Sequence, residues 1–148
     1  YGYYTREEIF TLVGRQTEEK RMSGSVSGVF NLPEYDTSLL FVTLNKSDKD
    51  FSPSTQYDDY VINKDYFHWQ SKNTDSHHNR GGRIYTEQPQ RHNKIVLFVR
   101  EEKKDGFGNT CPFHCFGLVD YVSSHGDFPM NITWKLEKPV MPQYLKVV

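Results

Sequence analysis

No alanine occurs among the 148 residues of this chain, while aromatic residues make up 15% of it. The best helix former is missing, and Phe, Tyr, Val and Ile remain abundant. That composition constrains the fold more than any motif does. It predicts an α+β domain that is mainly β. The sheet is expected to be curved or closed and antiparallel-rich, accompanied by a few short helices. The length fits one domain with a real core, so residues 1–148 are read as a single unit. No apolar run is long enough to span a bilayer, and no signal peptide is evident. With only two cysteines, this favours a cytoplasmic setting and no membrane partner.

Local patterns place the elements. Thr5 to Val13 reads as a short helix, because Thr5 and Glu8 have the spacing of a capping box and Gly14 is a natural stop. Ser25–Asn31 and Leu39–Leu44 read as strands joined across Pro33. Ser52-Pro53 suits the opening of one helical turn, which would put Tyr57 and Tyr60 on one side. Tyr66 to Ser71 alternates, with Phe67, Trp69 and Ser71 facing one way and Tyr66, His68 and Gln70 the other. Lys94–Arg100 (KIVLFVR) has the nearly continuous apolar character of a central strand. Asp105–Asn109 is a turn, and Phe113–Val122 is a strand. In Asn131–Leu136, Ile132, Trp134 and Leu136 point inward. Pro139 and Pro142 are expected to end the ordered part.

Candidate chemistry concentrates in residues 57–71. Tyr57, Tyr60, Phe67 and Trp69 are interleaved with Asp58, Asp59, Gln70 and Ser71. Flat rings beside carboxylates suit a planar, hydrogen-bonding ligand such as a nucleobase drawn out of its stack. Tyr57, Tyr60 and Trp69 are candidate stacking walls, and Asp58 or Asp59 is the candidate acceptor for an exocyclic amine. The alternative is that Phe67 and Trp69 are core, and that the polar residues cap strands or face water.

These residues also carry a resemblance. FVTLNKSDKDFSPSTQYDDYVINKDYFHWQS, KIVLFVREEKKD, FGLVDY and FPMNITWKL resemble the C-terminal domain of SauUSI-like type IV restriction helicase–nucleases. The likeness runs from about Tyr4 to Leu136. It implies an SRA-like, PUA-related barrel that reads 5-methylcytosine in double-stranded DNA. It further implies a larger parent chain whose nuclease and helicase domains are partners. A beginning at Tyr1, without Met, fits an excised piece of such a parent.

The net charge of −1 argues against a sequence-independent DNA magnet. Charge is uneven, though. Arg80, Arg83, Arg91 and Lys94 lie in a His-rich stretch whose Gly81-Gly82 reads as a flexible loop, suited to following a phosphate backbone. Asn45, Lys46, Ser47 and Lys49, after an apolar strand, are further backbone-contact candidates. Each is equally a solvated turn residue.

No catalytic, metal or cofactor set emerges. Cys111 and Cys115 flank His114 without a second ligand pair. Glu101-x-Lys103 just past a strand echoes metal-dependent nucleases, but such triplets are common at strand ends. No P-loop or nucleophile elbow is present. The reading is therefore a recognition domain that does no chemistry itself. Three alternatives stay open: a non-specific nucleic-acid or RNA-binding module, a protein-interaction domain, and a metal-dependent nuclease.

Overall fold

A computed structural model describes residues 2–5, 8–9, 29–44, 59–71 and 75–144. Within them lie strands β1 (Tyr3–Tyr4), β2 (Val29–Leu32), β3 (Thr37–Thr43), β4 (Tyr60–Val61), β5 (Tyr66–Gln70), β6 (Lys94–Arg100), β7 (Phe113–His125) and β8 (Asn131–Leu136). Two short helices, α1 (Arg80–Thr86) and α2 (Gln88–Arg91), sit between β5 and β6. The strands form one mixed sheet in the order β2-β3-β6-β7-β8-β5-β4, with β1 added to the start of β7. Only the β3–β6 junction is parallel. The mainly-β expectation therefore holds. The sheet is open, with β2 and β4 at its two edges.

β6 forms where the apolar run predicted it, and its pattern explains its position. Ile95, Leu97 and Val99 join the larger core, while Val96 and Phe98 join a second cluster on the other face. Neighbouring β3 splits the same way, with Leu40 and Val42 on one side and Leu39 and Phe41 on the other. A strand that buries both faces needs neighbours on both edges, and β6 has β3 and β7.

β7 is the longest strand and serves two parts of the sheet. His114–Val119 pairs with β6, whereas Val119–His125 pairs with β8. A bulge at Phe116 interrupts the pairing with β6. There Gly117 takes φ +87, a conformation that only glycine adopts cheaply. A second irregularity falls between Tyr121 and Ser123. Together they bend the strand.

The larger core centres on aromatic rings. Trp69 of β5 lies 5.1 Å from Tyr85 of α1 and 6.2 Å from Trp134 of β8. Tyr85 meets Trp134 edge-on at 6.1 Å. As expected, Ile132, Trp134 and Leu136 are buried.

The capping box at the N-terminus is present. Glu8 N–H donates to Thr5 Oγ1, and Thr5 N–H donates to Glu8 Oε1, both at 3.1 Å. The remainder of that expected helix lies outside the described residues, as do residues 25–28 of the strand expected there. The 105–109 turn also forms, with Asp105 Oδ1 accepting from Phe107 and Asn109 N–H.

Two expectations need correction. The Gly81-Gly82 stretch is not a flexible loop. Asn79 caps α1 by accepting from Gly82 N–H at 3.0 Å, and Gly82 is buried. A Cβ on Gly82 would collide with the Ser76 carbonyl and the Met130 sulfur, so glycine here permits close approach and not motion. The ordered part, expected to end at Pro139 and Pro142, continues through the 3-10 turn Pro142–Tyr144. Val140 N–H donates to the Lys64 carbonyl, and Val140 and Tyr144 are both buried.

Truncating Trp69 to Ala should cost about 3–5 kcal/mol, as buried Trp deletions do. Urea unfolding measures it, and a loss under 1 kcal/mol would contradict the packing described. Gly82→Ala should also lower the melting temperature, while Gly106→Ala, with open space around its Cβ, should not.

Candidate nucleic-acid interface

The β4–β5 pair carries part of the aromatic–carboxylate segment. Tyr60 stands opposite His68, and their rings stack at 4.5 Å with 16° between planes. Tyr60 is 45% exposed, so part of its ring faces solvent. Asp59 Oδ1 accepts the Gln70 backbone N–H at 2.8 Å, extending the ladder by a side chain. Gln70 Nε2 donates to Asn131 Oδ1 at 2.9 Å, tying β5 to β8.

The expected base-binding set divides. Asp59, Tyr60 and Gln70 stay together in the β4–β5 pair, through the Asp59–Gln70 bond and the Tyr60–His68 pairing. Phe67 and Trp69 are 0% and 4% exposed and belong to the core, so they form no stacking wall. Ser71 is buried too, its Oγ accepting the Met130 N–H at 2.9 Å. Phe67, Trp69 and Ser71 share the interior face, and on the opposite face His68 is buried as well, beneath the Tyr60 ring. Tyr57 and Asp58 lie outside the described residues, as do Asn45, Lys46, Ser47 and Lys49.

The basic stretch folds onto the helices. Arg80 and Arg83 are exposed and three apart on α1, so they share a face. Arg91 is tied back to Glu87 through contacts of 2.7 and 2.8 Å. Lys94, at the start of β6, borders a polar recess of about 200 Å³ with Gln88, Asn93 and Asp120. Gln88 spans that region, with its amide nitrogen on Asp120 and its oxygen accepting Tyr121 N–H.

The β7–β8 hairpin joins the two stretches. Asp127 Oδ1 accepts from the His77 backbone N–H at 2.7 Å and from its ring Nδ1 at 2.8 Å. With Nδ1 donating, the neutral ring leaves Nε2 to accept from Ser124 Oγ, 2.7 Å away. The Tyr121 hydroxyl lies 2.7 Å from the same Ser124 oxygen. Phe128 N–H donates to the Asp75 carbonyl at 3.0 Å. The hairpin is thus fastened to the loop that precedes α1, and through Asn131 and Met130 to the end of β5.

Sequence reasoning missed this cluster, because its members are 47 and 50 residues apart and no motif links them. Ser124, His77 and Asp127 have the connectivity of a nucleophile, a base and its orienting carboxylate. Here Asp127 also holds backbone and Ser124 shares its hydroxyl with Tyr121. The network acts as a clasp.

Comparison with protein families matches residues 1–147 to a domain of unknown function, DUF3427. The chain belongs to this family. A search of curated proteins finds no match. Among the described residues of this DUF3427 domain, no group of three or more His, Cys, Asp or Glu is placed to hold a metal ion. Cys111 and Cys115 are half-buried free thiols. Glu101 and Lys103 are exposed at the end of β6. No helix among the described residues is long and apolar enough to cross a membrane.

The clasp has an electrostatic signature. The His77 backbone N–H, and after it the His77 ring, hold the Asp127 carboxyl below the usual carboxylate range. A carboxyl whose pKa falls on folding stabilises the fold above its unfolded pKa, about 3.9, and that contribution is lost as pH drops through the lower native value. Protection of the Gly126, Phe128 and Met130 amides should therefore be full at neutral pH and decline in acid. Asp127→Ala should remove it at pH 7. Hydrogen exchange reads both, and parental protection in Asp127→Ala would mean that the clasp does not order the tip.

Proposed function

We propose that this DUF3427 domain recognises DNA carrying 5-methylcytosine and targets a larger helicase–nuclease of the SauUSI type. One observation carries the reading. Asp59 and Gln70, suited to a base, and Arg80 at the start of α1, suited to phosphate, flank the β7–β8 hairpin, which holds them through Asn131 and His77, while the Tyr60 ring lies on the sheet face away from α1.

Base edges specify and phosphates position. In this reading the cytosine leaves its stack and lies against the exposed Tyr60 ring. Asp59 accepts its exocyclic amine. Arg80 and Arg83 meet the backbone. Stacking is worth about 1–3 kcal/mol per base, comparable with the few kcal/mol that extrusion costs, so methylated and plain cytosine can be separated by small contacts. The near-neutral overall charge supports a selective reader over a sequence-independent binder. The SRA-like likeness of the sequence supports the same role, and the nuclease and ATPase chemistry falls to other domains of the parent chain.

Titration of one methylated duplex against its unmethylated twin is the primary test. Tighter binding of the methylated form is expected. Equal binding would favour a non-specific DNA- or RNA-binding module, and no binding a protein-interaction domain. Plasmid incubated with magnesium or manganese should stay intact. Nicking abolished by Glu101→Ala would make the domain a nuclease.

Asp59→Asn keeps an oxygen for Gln70 and should leave the fold intact while weakening methylated-site binding by about 1–3 kcal/mol. Arg80→Ala and Arg83→Ala should weaken both duplexes alike. Each should flatten the log–log salt dependence by roughly 0.9 per lost phosphate contact. An unchanged slope would place these arginines off the DNA.

A further inference from the structure

We infer that His114 is a proton-sensitive latch. With its ring neutral it holds β1 and the Pro142–Tyr144 turn on β7, and with its ring protonated it releases both while the sheet stays folded. The inference stands apart from the DNA-binding reading.

β1 has little of its own to hold it. It is two residues long and pairs Tyr3 with His114 and Tyr4 with Phe113. One more backbone bond runs from Cys115 N–H to the Gly2 carbonyl, at 2.9 Å. His114 ties this short strand to a turn near the other end of the chain. Its ring stacks on Tyr3 with centroids 4.4 Å apart and 29° between planes. Its Nδ1 lies 3.2 Å from the Tyr144 hydroxyl. Phe116 meets the ring edge-on at 5.6 Å. Gln143 Nε2 donates to the Tyr3 hydroxyl at 2.9 Å, which closes the circle of contacts. Tyr3 is 54% exposed and covers an imidazole that is 2% exposed. Lifting Tyr3 therefore gives His114 water.

A neutral imidazole suits this place and an imidazolium does not. The neutral ring has one donor and one acceptor, and the Tyr144 hydroxyl can serve either. Burial pushes the His114 pKa below its usual range. The groups around the ring do little to reverse that. From β1 it faces Tyr3. From the terminal turn it faces Tyr144, whose hydroxyl burial pushes up to about 12, so this phenol stays neutral. On β6, Val99 lies opposite, and exposed Glu101 acts on Tyr144. Along β7, Phe113 and Cys115 turn to the other face, where Arg100 lies over the Phe113 ring. Among the described residues no salt bridge reaches His114. The Tyr3 face attracts a cation weakly, and the loss of water costs the cation more. A histidine whose pKa falls on folding stabilises the closed latch above its unfolded value, about 6.5, and that contribution is lost as pH drops through the lower native value. The loss begins well above the carboxylate window of Asp127. β1 and the terminal turn make few contacts beyond this cluster, so they are the parts that open first.

Hydrogen exchange between about pH 8 and pH 5, read as protection factors, tests the latch. The reporters are the Cys115 amide, bonded to Gly2, and the Tyr144 amide, bonded to Met141, with the Ser71 amide, bonded to Met130, as the reference. Below about pH 6.5 the first two should lose up to about tenfold in protection per pH unit, while Ser71 keeps its own. The His114 ring, followed by NMR, should titrate below about 6.5 and in step with that loss. His114→Gln keeps a hydrogen-bonding group for Tyr144 and takes up no proton, so both amides should stay protected throughout. Flat protection in the unsubstituted chain, an unchanged decline in His114→Gln, or loss at Ser71 over the same range would each overturn the latch. If His114→Gln exposes both amides at every pH, the ring titration of the unsubstituted chain decides, and a midpoint at or above about 6.5 refutes the inference.

Discussion

Tyr85 reaches from α1 into the sheet and packs edge-on against Trp69 and Trp134. Much of the arrangement depends on this contact. Three aromatic residues from α1, β5 and β8 fix the helix over one end of the sheet, and burial of this kind is worth several kcal/mol per ring. Burial, and after it the negative charge of Asp75, pushes the Tyr85 hydroxyl well above its ordinary range, so the phenol stays neutral inside. Once α1 is seated, Asn79 can cap it and Gly82 can approach Ser76. His77 is then carried to the hairpin. The clasp with Asp127 is thus a consequence of packing some distance away.

β7 supplies the second constraint. A straight thirteen-residue strand would carry its whole length past β6. The bulge at Phe116–Gly117 and the irregularity after Tyr121 turn it toward β8 instead. Its open edge beyond Val119 is met by the Gln88 side chain, which accepts the Tyr121 N–H where a strand would have done so. The hairpin then projects past the sheet, alongside α1 and the end of β5.

Recognition as proposed above would be local. A domain of net charge −1 gains little from long-range attraction to DNA. Its opportunity lies in placing a few donors, acceptors and rings at fixed separations on one rim. That rim is stiffened by side chain-to-backbone bonds from Asp59, Asp127 and Ser71. Stiffness lowers the entropy cost of binding, so small contacts can discriminate.

The amino-acid sequence alone determined the elements whose signals are local. Lys94–Arg100 is apolar on both faces, Asn131–Leu136 alternates, Thr5 and Glu8 cap each other, and Asp105–Asn109 turns. The absence of alanine and the wealth of aromatics made the fold mainly β. Periodicity cannot say which face of 66–71 is interior, because the two faces of a strand are equivalent until another layer covers one. Tertiary packing therefore decided that Trp69 is core while Tyr60, half exposed, covers a buried His68 on the other face. It also turned Gly81-Gly82 from an apparent hinge into a close-packed helix start, since close approach and flexibility call for the same residue. The clasp of Asp127, His77, Ser124 and Tyr121 exists only in three dimensions. Its partners are far apart along the chain, and hydrogen bonds between such residues leave no periodic trace in the sequence.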